Sequence, residues 1–579
     1  MTAAAMCRWL AGDKLSWYPR RLPPGKRGSE GWLMQSSGLE VEQVQVAPRP
    51  GLVERLSWTD KIPIALGCGC LLGLSAPGFD VWWLAWIGLA PLLVLIQGCR
   101  GKAEAALVGL SFGMGYNLVA LGWYLGLYPL RWMGLEDWIA FQAVVLVWLL
   151  EAVHQSLLMA GMALLVFVLP MRAGFVPFYR RPYFPYVLSV PVLWVFFQWV
   201  VATSEVFLGA PVNQLAYSQC KQLELIQSAK LGGSQLIDFL LVAANAALAA
   251  LIVELSGWAP PLADRCDRLS PKGGAAVDLA AVAVVVGLLF AWGRAEMARL
   301  AALTTLIPDR PRAVVAPPVP LAVIQGNISI EEERLGSLSA GEACQRYMQL
   351  CRGLGVPLIV FPEGVIGAAQ SASGLLNSQL SDLTAGEKKE AVVGTVERLE
   401  GRPVNAVRLV TAADVKEKIY VKRRLVPFGE YIPGVALAEL IPSRVKALLI
   451  GGSTGFVSAR SAYLLGSVWG KVGASICVEV IYPRLIADEV RQGASLLVNV
   501  SNLAWFHGST LNRQVLAAAI LRAVENGRYM VLATNTGISA VVDPAGTVTG
   551  VSIPGKRGVL IDTVQFLDKK TPFTKMWWL

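Results

Sequence analysis

The chain has 579 residues, of which 54% are hydrophobic and only 16% charged, whereas an average soluble domain carries about 25% charged residues. This balance excludes a disordered chain and an ordinary water-soluble protein, and points to several membrane crossings joined to at least one further domain. The net charge of +10 belongs in such a chain to cytoplasmic loops rather than to a nucleic-acid surface; two histidines exclude a histidine-rich metal site, and nine cysteines, an odd count, argue against a disulfide framework.

Residues 1–58 are basic and contain prolines, with no apolar core of signal-peptide length. They are expected to form a disordered N-terminal extension and are assigned no function. Seven apolar stretches follow within 59–296, at 62–79, 81–98, 104–129, 137–169, 184–204, 235–255 and 276–294. A hydrocarbon core of about 30 Å takes about 20 apolar residues per helix. Pro77, Gly78 and Asp80 split the first two stretches as a hairpin would. The fourth carries Glu151, His154 and Gln155. Such groups inside a membrane mark either a proton path or a hydrogen bond between helices, and both readings stay open.

Orientation follows from the basic residues of the loops. Arg100 and Lys102, then Arg172, Arg180 and Arg181, then Arg265, Arg268 and Lys272 fall on the side of the basic N-terminus. The opposite loops hold only Arg131, Lys221 and Lys230. The N-terminus is therefore expected in the cytoplasm, and seven crossings carry the remainder of the chain outside it. A Pro-rich linker, 297–318, leads into that part.

From 319 to 565 short β-branched runs alternate with helical patterns. The runs lie at 320–328, 357–363, 391–396, 405–410, 418–422, 472–480, 495–502, 529–535 and 558–564, and helices are predicted at about 340–353, 481–493 and 510–527. The interleaving predicts layered sheets covered by helices. Three reactive side chains end apolar runs: Glu363 in LIVFPE, Lys422 in KIYVK and Cys477 in VGASIC. In layered α/β folds such strand ends are where ligands bind. Their chemistry is complementary. A thiol of pKa about 8.5 needs a base to become a nucleophile, a partly desolvated carboxylate can take and return that proton, and an ammonium stabilises the thiolate and the oxyanion that follows. Taken singly, each also reads as structure: a buried Cys as a small hydrophobe, a Glu after Pro as a turn residue, a Lys at a strand end as solvated. Cys344 and Cys351 lie seven apart on a predicted helix, about 10.5 Å of rise, too far for a disulfide, and read as structural.

The surrounding motifs resemble the nitrilase (carbon–nitrogen hydrolase) superfamily: FPEG around Glu363, YVKRRLVPFGEY around Lys422 and SICVEV around Cys477. The run from Lys422 to Pro433 is similar to the apolipoprotein N-acyltransferase family, the membrane-bound branch of that superfamily. VIQGNI (323–328), SNLAWF (501–506), ATNTGISAVVDPAG (533–546) and LSAPGFDVWWLAWIGLAPLL (74–93) extend the resemblance over roughly 62–565. It implies a polytopic α-helical membrane domain followed by an αββα nitrilase-like sandwich. It also implies a Glu363–Lys422–Cys477 triad acting without cofactor or metal, in a monomer of the bacterial inner membrane. Cys477 would take the sn-1 acyl chain of a phospholipid, typically phosphatidylethanolamine, as a thioester. The α-amine of a diacylglyceryl-cysteine apolipoprotein would then receive it, with the catalytic domain on the periplasmic side.

The resemblance further assigns Glu430 and Glu479 to support of the site. Glu479, two residues past Cys477, is expected on the same strand face. An apolar lid must shield a thioester from water; Trp505, Phe506 and the loop 427–434 are its candidates, with ordinary packing as the other reading. His507 reads as a surface-loop residue. Leu503 stands where many family members carry Asp. The family commonly ends in another transmembrane helix; here the expectation is a tail, 566–579, whose Trp577 and Trp578 rest at the membrane interface. Two other functions compete: a membrane-tethered amidase using water as acceptor, and a transporter with a sensing domain. The first shares the triad but does not explain seven spans; the second has no use for it.

Overall fold

The computed structural model describes residues 51–174, 184–204, 211–258, 273–304, 317–365, 378–385, 389–411, 419–434 and 455–576, with isolated positions 439, 443 and 446 between. Most of the predicted N-terminal extension, much of the linker, the basic residues Arg180, Arg181, Arg265, Arg268 and Lys272, and Trp577 and Trp578 lie outside the described residues.

All seven apolar stretches contain helix. Among the described residues, four helices are long and apolar enough to cross a membrane by length and composition: Asp137–Val168, Tyr186–Thr203, Ala229–Ser256 and Gly274–Ala302. The first three stretches give a helix of 16 residues, Trp58–Gly73, the broken pair Leu84–Ile87 and Ala90–Gln97, and a helix of 19 residues, Lys102–Ala120. Small residues let these helices approach closely. A Cβ on Gly69 would stand 2.0 Å from the Phe112 carbonyl oxygen, and one on Gly115 2.0 Å from that of Leu66. Buried Lys61 donates to the Gly98 carbonyl (2.7 Å) and to Glu104 (2.8 Å), so this lysine is packed between helices. Glu151 accepts from Gln155 (2.7 Å) and sits 3.2 Å from His154 Nδ1, bonds within one helix rather than between two. A bond between helices does form one turn on, where Asn117 donates to Ser156 (3.2 Å).

The second half is built of two six-stranded sheets. We label their strands β1 Val319–Gln325, β2 Leu358–Val360, β3 Glu390–Leu399, β4 Arg402–Thr411, β5 Tyr420–Val421, β6 Leu465–Ser467, β7 Gly470–Ile476, β8 Leu496–Ser501, β9 Met530–Thr534, β10 Ala540–Val542, β11 Val548–Val551 and β12 Gly558–Val564. One sheet has the order β12-β1-β2-β3-β4-β5 and the other β11-β10-β9-β8-β7-β6. Each has three central parallel strands, β1–β3 and β7–β9, flanked by antiparallel ones.

The alternation of side chains along a strand assembles the layers. Leu321 and Val323 of β1 join Leu358, Val360 and Val392 against Val472, Ala474, Ile476, Val498 and Val500 of the second sheet. Ala322 and Ile324, pointing the other way, meet Cys344, Tyr347 and Cys351 of the helix Ala340–Cys351. Both cysteines are buried there as free thiols, as expected. Ser339 starts that helix with a reciprocal cap to Glu342. The outer face of the second sheet is covered by the helices Pro483–Arg491 and Leu511–Asn526. They share one continuous apolar core with the membrane helices, in which Leu497 and Leu532 belong with Phe112, Ile237 and Leu241. The architecture is thus a helical membrane half and an αββα sandwich seated on it through one of its own helix layers. The chain after β12 joins this seat: Phe573 is 8% and Thr574 0% exposed.

Candidate active site

Glu363 lies three residues beyond β2, Lys422 directly after β5 and Cys477 directly after β7. The sequence placed these side chains on three separate runs, and the fold brings them together. Lys422 Nζ is 2.8 Å from Glu430 Oε1 and 3.6 Å from Glu363 Oε1, and the charges of both Glu363 and Lys422 act on the Cys477 thiol. Lys422 is 1% and Glu363 12% exposed, so the cluster is largely shielded from water.

Burial controls the titration of all three groups. It pushes the Cys477 thiol up to about 12, with the Glu363 carboxylate adding to the rise and the Lys422 ammonium opposing it. Burial likewise lifts Glu363 above the ordinary carboxylate range, although Lys422 pulls it down. For Lys422 burial disfavours the charge, but Glu430 and Glu363 outweigh it and the ammonium is held. At neutral pH the resting site is therefore a neutral thiol beside a fixed cation and a carboxylate of raised proton affinity.

Cys477 has φ +53°, the left-handed region that a β-carbon disfavours. It opens a tight turn, Cys477–Ile481, so the strand ends at Ile476. The expectation that Glu479 shares a strand face with Cys477 is corrected: the chain has left the sheet before it. Glu479 instead turns inward and is 0% exposed. It accepts from Ile476 N (2.8 Å), the Tyr420 hydroxyl (2.7 Å), Arg423 N (2.6 Å) and Arg424 N (3.0 Å). This one carboxylate ties the backbone next to Cys477 to the backbone just after Lys422 and to the Tyr420 side chain before it. Glu430 also accepts from Val426 N (2.8 Å), so the loop 427–434 is closed onto the lysine it follows.

Three asparagines that the sequence reading did not single out complete the frame. Asn405, on β4, donates through one Nδ2 to Glu363 Oε1 (2.7 Å) and to Glu430 Oε1 (2.8 Å). Asn502 N donates to Glu363 Oε2 (2.7 Å). Asn499 donates to the Cys477 carbonyl (3.2 Å). The only trace in the sequence is a polar amide at the start or inside of an apolar run.

Trp505 and Phe506, the lid candidates, pack across the junction between the two halves. Trp505 meets Trp132 edge-on, with ring centroids 5.0 Å apart, and Arg334 lies 5.0 Å from its ring. Phe506 meets Trp123 edge-on at 5.1 Å. His507, expected on a surface loop, is placed in this junction, 2.6 Å from the Gly126 carbonyl and 3.3 Å from Glu331. Leu503 is buried.

The Carbon-nitrogen hydrolase family matches residues 321–568 and the apolipoprotein N-acyltransferase N-terminal domain matches residues 68–247. The chain is 30% identical to an apolipoprotein N-acyltransferase of Gloeobacter violaceus, over 88% of each chain. It is 29% identical to that of Geobacter metallireducens, over 86% of this chain and 88% of the relative. Among solved structures, Saccharomyces cerevisiae Nit3 of the nitrilase superfamily aligns over 44% of this chain and 93% of its own, at 16% identity and a TM-score of 0.33. With a membrane half and a hydrolase half each matched in its own region, and relatives matched along both, this chain belongs to the apolipoprotein N-acyltransferase family.

Proposed function

We propose that this acyltransferase works by a two-step exchange in which Cys477 carries the acyl chain between a phospholipid and the N-terminal amine of a lipoprotein. The single observation that supports the reading best is the position of Glu363, Lys422 and Cys477 around one shielded point, immediately past three strand ends. Glu363 takes the thiol proton as Sγ attacks the sn-1 ester carbonyl carbon. The oxyanion that forms is stabilised by the Lys422 ammonium, which Glu430 holds in place. Collapse breaks the ester C–O bond, and the proton on Glu363 passes to the departing lysophospholipid oxygen. The amine of diacylglyceryl-cysteine then attacks the thioester, Glu363 takes its proton, and the C–S bond breaks to leave the amide. The proton returns to the Cys477 sulfur. Asn405, Asn502 and Glu479 act as positioning residues.

Phosphatidylethanolamine is the proposed donor, diacylglyceryl apolipoprotein the acceptor and a monomer the working unit. The proposed domains are a membrane part at 59–296, a linker at 297–318 and a catalytic part at 319–565. The catalytic part is proposed to face the periplasm. Two features together support that side: the excess of Lys and Arg in the alternate loops, which marks one end as cytoplasmic, and the loops that touch the catalytic part, which lie at the other end. The contacts come from Asp80, Ala120, Gly126, Trp132, Tyr217 and Ser234. All six belong to the basic-poor end of the bundle, whereas Arg100 and Glu104 bond to Glu54 and Lys61 at the other.

Incubating the full-length protein with phosphatidylethanolamine vesicles and no acceptor tests the reading. Intact and peptide mass spectrometry should find one fatty acyl group, on Cys477. Adding a diacylglyceryl lipopeptide should clear it and give N-acylated product. Free fatty acid without acylated peptide would instead identify a hydrolase.

A further inference from the structure

The turn that carries Cys477 is not held by the catalytic sandwich alone. Its last residue, Ile481, offers a carbonyl oxygen that accepts two bonds. One comes from the Tyr217 hydroxyl of the membrane half (3.3 Å), the other from Arg522 Nη1 of the helix Leu511–Asn526 (3.4 Å). Arg522 is itself tied to the membrane half. Its Nη2 donates to Ser234 Oγ (3.2 Å) and to Glu525 Oε1 (2.8 Å). Arg522, Glu525 and Ser234 are each 0% exposed.

Ser234 stands at a break in a membrane helix. Gly232 and Gly233 have non-helical backbone angles, with φ −134° and +71°, so the helix that runs on to Ser256 starts afresh there. Its first free N–H, that of Ser234, is bonded by Glu525 Oε1 (2.7 Å). An anion at that position suits the helix end. Phe573 fills the space beside the break, where a β-carbon on Gly233 would stand 2.6 Å from its ring. An arginine whose fork spans three acceptors is thus shared by the broken membrane helix, the catalytic helix and the nucleophile turn.

We propose that Arg522, with Glu525, Ser234 and Tyr217, is a positioning device that couples the turn carrying Cys477 to the seating of the catalytic half on the broken helix, adding to the hold that Glu479 and Asn499 have on that backbone. The inference rests on Cys477 being the nucleophile. Its physical basis is the cost of that backbone conformation. A left-handed non-glycine residue persists only where its surroundings over-determine it. Here part of those surroundings belongs to the membrane half, which favours a competent thiol in the seated state, where a lipid ester is within reach.

Full-length Tyr217→Phe and Arg522→Lys proteins, separately and combined, test this in phosphatidylethanolamine vesicles. The readouts are single-turnover acylation of Cys477 per folded site, KM for the lipid, and the pH dependence of Cys477 alkylation by iodoacetamide. Tyr217→Phe removes one bond and should slow acylation about tenfold. Arg522→Lys loses the planar fork and should slow it about a hundredfold. KM should stay the same, the alkylation curve should shift in both variants, and the double variant should fall short of the product of the two, because they share one acceptor. A merely structural role would lower the melting temperature and the number of active sites, but leave the rate per site and the alkylation curve as in the wild type. That result in Tyr217→Phe overturns the proposal, whether or not Arg522→Lys folds. A wild-type protein that never acylates Cys477 would remove the assigned nucleophile as well, so the two failures are distinguishable.

Discussion

Glu363 does two opposing things to the Cys477 sulfur. In the proposed mechanism it accepts the thiol proton as a base during attack; as a fixed negative charge it makes the thiolate harder to form at rest. The opposition yields a prediction with two signs. Glu363→Gln removes the negative charge, so the thiol pKa falls from its raised value, about 12 in the native site, and the thiolate fraction at pH 8 rises. Alkylation by iodoacetamide at that pH should become faster. Acyl transfer should drop, by about a hundredfold to ten-thousandfold, because the positioned base is gone. A variant slowed in both reactions would show that Glu363 does not raise the thiol pKa. In that mechanism Glu363 has to be ionised to act, so the same burial should place the acid limb of the native enzyme's pH–rate profile above the ordinary carboxylate value. The clustering of these three residues was legible from the sequence because each ends an apolar run and stands in a motif that resembles one family; taken singly, each also reads as structure. Asn405, Asn499 and Asn502 were not legible. A neutral amide in or just after a strand carries no charge signature, and the partners that give it meaning lie 22 to 139 residues away.

The loop 501–509 joins the chemistry to the membrane half. Its Asn502 N–H holds Glu363, and four residues later Phe506 meets Trp123. Close backbone approach makes the joint stiff: a β-carbon on Gly126 would stand 2.3 Å from the Phe506 carbonyl oxygen and 2.8 Å from Ser509 Cβ. Gly122, in the same short helix, has nothing within 4 Å. Gly126→Ala should therefore push the loop off the membrane half, destabilise the protein by about 1–3 kcal/mol and cut acyl transfer. Gly122→Ala should be near neutral in both melting temperature and rate. Equal behaviour of the two variants would mean that the contact has no bearing on the site. At this scale the long, strongly patterned elements were legible: nine strand runs and three helices were predicted, and each coincides with an observed element. The strands β6, β10 and β11, of three or four residues, were missed; β2 and β5 are as short, but they sit within longer apolar runs, PLIVFPE and KIYVK. The lid reading of Trp505 and Phe506 could not be separated from packing, because an aromatic pair looks the same in sequence whichever surface it meets.

The two halves share one apolar core, and every named contact between them lies at one end of the helical bundle. Loop charges are the ground for proposing which end faces the cytoplasm, and loop contacts tell which end carries the catalytic half. The two come from different physics. The first reflects the bias against carrying Lys and Arg across the membrane; the second reflects which loops an αββα sandwich can cover. Lys102 is exposed at the basic end, beside Glu104 and its bond to Lys61, and Lys556 is exposed on the catalytic half. Replacing each in turn by cysteine in otherwise native protein gives two labelling sites at opposite ends. A membrane-impermeant maleimide applied to intact spheroplasts should modify Lys556→Cys above the wild-type background. It should reach Lys102→Cys only after the membrane is opened. The reverse pattern would put the Cys477 site in the cytoplasm, opposite to the side on which the proposed acceptor amine is presented. Five of the seven stretches lie between Lys102 and Lys556, so labelling of both sites from one face would mean an even number of crossings among those five. The labelling pattern therefore reads the parity of the bundle and the side of the chemistry in one measurement.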